Sequence, residues 1–122
     1  MFDYQLEEKE SYLLAKGRGD SVSHEEWNFN AEKLLRETCE RGHKRLLIDR
    51  LGVELQVDAF DVVTVADHLA EMGLHQLGLR IAVVSDGDNA LFCMLETAMT
   101  NRSFVYKVFR DVDAAREWLL NC

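Results

Sequence analysis

Apolar and polar residues alternate over residues 2–8 (FDYQLEE), with Phe2, Tyr4 and Leu6 on one side and Asp3, Gln5 and Glu7 on the other. A period of two predicts a strand with one buried and one wet face. After Lys9 and Glu10, SYLLAKG predicts a second strand, and the two together a hairpin. The loop GRGDSVS ends on Ser23, which forms a capping box with Glu26 and opens a helix. Trp27, Ala31, Leu34, Leu35 and Thr38 then recur at helical spacing, and Gly42 suits the stop. RLLID at 45–49 and LRIAVVS at 79–85 are continuous apolar runs, as in strands covered on both faces.

Between those runs a second helix opens near Asp58. It carries Ala59, Val62, Val63, Ala66, Leu69 and Ala70 on one stripe and stops at Gly73. Its β-branched residues at 62–65 favour a strand, but Asp58 at the start and ADHLAEMG at the end favour the helix. Leu91, Phe92, Leu95, Ala98 and Met99 mark a third helix, and SFVYKVF at 103–109 a last strand. Asp111 caps a final helix with Val112, Ala115, Trp118 and Leu119 on its apolar face. The order β-β-α-β-α-β-α-β-α predicts one α/β domain over 1–122. Its expected core is a five-stranded mixed, largely parallel sheet with four helices and an antiparallel N-terminal edge.

Composition narrows the function more than the fold. The chain has 122 residues, 48% of them apolar, enough to bury a core without metal or disulfide staples. Its 22 acidic and 14 basic residues give a net charge of −8, which repels nucleic acid and anionic membranes. No apolar run approaches the length of a membrane span. The opening MFDYQLEEKE is acidic where a secretory signal is basic, so a cytoplasmic protein is expected. Three widely spaced cysteines then read as reduced thiols. Cys39 and Cys93 fall on helix faces as small buried hydrophobes, and Cys122 is terminal.

Enzyme signatures are missing. There is no phosphate-binding loop, no dinucleotide fingerprint and no nucleophile elbow, and no nucleophile, base and orienting group gather at one strand end. A non-enzymatic protein with no cofactor and no metal is expected. Cys39 and His43 have a spacing that zinc could use, but Gly42 intervenes and no second ligand pair follows. Asp49 ends a buried strand, where open α/β sheets place their ligands. A phospho-accepting role for it lacks the acidic pair that would hold magnesium. In SDGDN, residues 85–89, Gly87 turns the chain and Asp88 caps the third helix; the two carboxylates there repel phosphate.

The segments HEEWNFNAEKLL, RLLIDRLGV, RIAVVSDGDNALFCMLETAMTNRSFVYKVF and DVDAAREWL resemble the SpoIIAA-like family of the STAS superfamily (sulfate transporter and anti-sigma factor antagonist domains). The resemblance runs end to end and is most specific in the last third. It implies a mixed sheet flanked by helices, used as a protein-interaction or small-ligand module. Anti-sigma antagonists carry a phosphorylatable D-S-S-G-like turn before the second helix. Here LQVDAFDVV puts Asp58, Ala59 and Phe60 in its place, so the phospho-switch does not carry over. Relatives often read N-R-G where this chain has Asn101, Arg102 and Ser103, which puts in question any close backbone approach at that glycine.

Two functions are therefore expected. The first is a cytoplasmic regulatory or protein-interaction module with a protein partner, self-associating as a homodimer. It would use the hairpin edge and the helix after Asp58, with Asp58, Phe60 and Trp27 on the surface. The second is a small-ligand or lipid-binding domain with a pocket near Asp49, Ser85 and the 86–89 loop. Its candidate residues are Asp49, Arg50, Ser85, Asp86, Asp88, Asn89, Asn101 and Arg102. Similarity to lipid-binding domains of this topology is at fold level; Trp27, Phe29, Phe60 and Met72 supply apolar surface for a lipid tail or partner helix.

Overall fold

The N-terminal hairpin forms with Tyr4 opposite Gly17: strand β1 (Asp3–Glu8) runs antiparallel to β2 (Leu13–Arg18). The computed structural model describes residues 3–19, 21–51, 54–55, 57–86 and 89–121. Phe2, the Gly87 turn, the Asp88 cap and Cys122 lie outside the described residues. Strand β2 pairs in parallel with β4 (Arg45–Asp49), β4 with β6 (Arg80–Val84), and β6 with β7 (Val105–Phe109). The main sheet thus has the order β1-β2-β4-β6-β7, five strands with one antiparallel edge. A second small sheet joins β3 (Ser21–Val22) in parallel to β5 (Glu54–Leu55). Two-residue strands carry no periodicity, so the pattern of the chain does not predict them.

Helices α1 (His24–Glu40), α2 (Ala59–Glu71) and α3 (Asn89–Asn101) fill the crossovers, and α4 (Val112–Leu120) follows the last strand. Ser23 Oγ accepts the Glu26 amide at 3.3 Å at the start of α1. Asp58 and Asp61 cap α2 reciprocally, each carboxylate accepting the other's amide at 2.9 and 3.0 Å. The predicted stripe of α2 shifts, because its buried residues are Val62, Val65, Ala66 and Leu69. Ala59, in the first turn, and Val63 are exposed. A 3₁₀ turn, Leu74–Leu77, follows Gly73.

The sheet is covered unequally. Helices α1, α2 and α3 pack on one face against Leu13, Ala15, Leu46, Ile48, Ile81, Val83 and Tyr106. Among the described residues, helix α4 alone covers the other, with Ala115 and Leu119 against Tyr12, Leu47, Ala82 and Val84. This explains why β4 and β6 are apolar on both faces while the edge strands alternate. Cys39 is half-buried and Cys93 exposed, so Cys93 is not the buried hydrophobe that its helix position predicts. Among the described residues, no helix is long and apolar enough to cross a membrane.

Candidate functional site

Among the described residues the one buried charged side chain is that of Arg50, one residue beyond the central strand β4. Successive residues of a strand face opposite sides. Asp49, level with Lys16 and Val84, therefore points to the α4 side, and Arg50 enters the three-helix side. Its backbone N–H continues the sheet by donating to the Val84 carbonyl at 2.8 Å. Its side chain is 2% exposed.

Across the sheet the register matters. Lys16 lies beside Asp49, which puts Gly17 in the row of Arg50, and Tyr4 pairs with Gly17. A glycine has no side chain to fill that row, so the tyrosine and the arginine meet over it. Arg50 Nε and Nη2 each donate to Tyr4 Oη at 3.2 Å. From α1, the Trp27 ring lies 5.6 Å from the guanidinium carbon, within cation–π range. Tyr106, from the opposite edge strand, faces the same charge. Among the described residues, Nη1 has no hydrogen-bond partner.

No carboxylate pairs with this cation among the described residues. A buried charge that is only partly satisfied is costly. Burial works against the charged form of Arg50, but the oxygens of Tyr4 and Tyr106 outweigh it and hold the pKa above its usual value. Burial pushes the Tyr106 hydroxyl up to about 12, with Arg50 offsetting part of the rise. Arg50 stays a cation and Tyr106 stays neutral throughout the physiological range.

The guanidinium borders a small apolar cavity of about 20 Å³ beneath α1, α2 and α3. Its walls include Leu34, Leu35, Ile48, Val65, Leu69 and Leu95. That volume holds one water molecule.

The other candidates divide between places. Asp49 spends one carboxylate oxygen on the Leu51 amide at 3.0 Å, a local turn. Ser85 is buried, donates its backbone N–H to the Phe109 carbonyl, and lines a separate cleft of about 110 Å³ with Phe92, Cys93, Glu96 and Arg110. Asp86 is exposed, and Asn89 opens α3; Asp88 lies outside the described residues. Asn101 ends α3 and Arg102 follows it, at the opposite end of the sheet from Arg50. Arg102 there donates to Asp67 of α2 at 2.7 Å and to the Ala98 carbonyl at 2.8 Å, fastening two helices.

Of the residues expected at the surface, Phe60 is 78% exposed and Asp58 is occupied by its cap. Trp27 is a correction: at 2% exposure it belongs to the buried site, because its face of α1 meets the sheet. Phe29, on the outer face of α1, is 69% exposed and borders a groove between α1 and α2. His68 Nε2 and Glu32 Oε1, 2.9 Å apart, span that groove. Tyr4 and Tyr106 are the site residues the sequence reading misses. Their available signal is a phenol at an inward-facing strand position, where its polar tip must find a partner.

The fold resembles a crystal structure of an uncharacterised protein of the DUF3478 family, with a SpoIIAA-like fold, from Shewanella loihica PV-4. The two are 22% identical over 97% of this chain and 93% of that one, with a TM-score of 0.56. The chain thus has the SpoIIAA-like fold that its sequence resemblance implies. No protein-family model and no curated protein matches it.

Proposed function

We propose that this protein is a non-catalytic binding module that seats a small ligand, apolar along most of its length, between the sheet and α1, α2 and α3. Its polar end would lie at Arg50. One observation carries this reading: a 2% exposed guanidinium with an unpaired Nη1 borders an apolar cavity. Replacing a buried charge by an apolar residue is often neutral or stabilising, so stability alone is a poor reason to keep one there. Fixed protonation of Arg50 and Tyr106 favours binding over proton transfer.

With room for one water, the cavity admits a larger body only if the roof moves. Besides its buried Val62, Val65, Ala66 and Leu69, helix α2 is tied to its neighbours, among the described residues, by two pairs that reach solvent, Glu32 with His68 and Asp67 with Arg102. Such pairs are weak, so an outward shift of α2 costs little in ionic terms. The test is titration with N-phenyl-1-naphthylamine, a neutral probe that fluoresces in apolar surroundings. Saturable enhancement by the wild type, reduced in Ala31→Leu, which fills the cavity from α1, is expected. No saturable enhancement by the folded wild type would overturn the reading.

A second reading rests on a different observation. Phe29 and Phe60 are large apolar side chains exposed on α1 and the first turn of α2. They support a regulatory or protein-interaction role, with a second copy of this chain as the simplest partner. Light scattering of the purified protein over a concentration series tests that role, and a strict monomer counts against self-association.

A further inference from the structure

We infer that the ligand's polar end is a carboxylate carried on a single aliphatic or aromatic chain, received by the outer fork of Arg50. This rests on the binding reading above and names its ligand class. A guanidinium has five N–H groups. Tyr4 Oη takes the Nε donor and one on Nη2. Among the described residues Nη1 has no hydrogen-bond partner, and Tyr106 shares the guanidinium with Tyr4. The Nη1–Nη2 edge is the planar fork that matches the two oxygens of a carboxylate.

Charge balance selects within the anions. Among the described residues, Arg50 is the one cation lining this cavity. A monoanion neutralises it; an alkyl phosphate dianion would leave a net negative charge buried among leucines, valine and isoleucine. Tyr106 lines the same cavity and carries an O–H able to donate to a bound oxygen. Once α2 moves outward, the apolar walls beyond the fork would face a hydrocarbon tail, and a space that now holds one water opens less far for one chain than for two.

The wild-type protein is titrated with sodium decanoate, decan-1-ol and decyl phosphate, each competing with N-phenyl-1-naphthylamine. Decanoate should displace the probe at roughly tenfold lower concentration than decanol, the usual effect of a charge-assisted fork. Decyl phosphate should do no better than decanol. Arg50→Met should bind decanol and lose the preference for decanoate. Where Arg50→Met does not fold, Arg50→Lys keeps the charge without the fork and should narrow the preference. Equal displacement by decanoate and decanol, a preference for decyl phosphate, or a preference unchanged in both Arg50 variants overturns the carboxylate while leaving the binding reading intact. Absence of probe binding to the folded wild type overturns both.

Discussion

Tyr4 and Arg50, 46 residues apart in the chain, meet over Gly17, where one phenol oxygen takes two hydrogen bonds of 3.2 Å from the guanidinium. Tyr4→Phe removes that acceptor and leaves two charged donors against an aromatic edge. It should destabilise the protein by about 1.5–3 kcal/mol. Adding Arg50→Met removes the stranded charge, so the double variant should be more stable than Tyr4→Phe alone. Urea denaturation of the four proteins measures the coupling. Simple additivity would show that the two groups do not depend on each other.

Tyr106 links the same site to alkaline pH. Burial raises its hydroxyl from 10.0 to about 12 in the folded state. With the folded value above the unfolded one, the linked stability is intact below pH 10 and is lost as pH rises toward about 12. Wild type should therefore lose stability across that window, and Tyr106→Phe should lose less. Parallel declines in the two proteins would assign the alkaline loss to other groups.

At acid pH the sensitive group is Glu32, which joins α1 to α2. The hydrogen bond with His68 lowers its pKa below the usual 4.5; partial burial opposes this and Arg36 assists it. A depressed carboxyl contributes in full above its unfolded value and loses that contribution as pH falls through the folded one. Urea midpoints of wild type and Glu32→Gln should differ above pH 4.5 and converge below it. A constant difference down to strongly acid pH would exclude this link.

The order of the main elements and the caps at Ser23, Asp58 and Asp111 follow from periodicity and capping chemistry read along the chain. Such signals are local, and a single segment contains them. The site is not local. Nothing near Arg50 in sequence shows that it is buried, because that depends on β4 taking the central place and on Gly17 falling in its row. Strand alternation also separates Asp49 from Arg50 and Ser85, which the linear sequence sets beside one strand end. The same holds for Trp27: an aromatic near a helix start is outward or inward according to which face meets the sheet.

Phe29 and Phe60 are solvent-exposed, so removing them should barely affect the fold. The pair Phe29→Ser and Phe60→Ser should change unfolding free energy by no more than about 0.5 kcal/mol each. If this face joins two copies, light scattering should show a wild-type dimer and a monomeric double variant. A double variant that still dimerises moves the interface elsewhere, with the β1 and β7 edges next to be tested.

Two helices end in the same way with different residues. After α1, the Gly42 amide donates to Cys39 and the His43 amide to Thr38, with Gly42 at φ 83°. After α3, the Ser103 amide donates to Thr100 and the Phe104 amide to Met99, with Ser103 at φ 71°. This six-residue cap wants a left-handed residue, a role glycine fills without strain. A side chain there costs about 1–2 kcal/mol, against about 0.4–1 kcal/mol of extra unfolded-state entropy for glycine. Ser103→Gly should therefore stabilise by on the order of 0.5–1 kcal/mol, and Gly42→Ser should destabilise by a similar amount, since a Cβ there meets no atom within 4 Å. Urea midpoints should shift in opposite directions with unchanged slopes. A loss of stability in Ser103→Gly would mean that the serine hydroxyl contributes more at this turn than its backbone strain takes away.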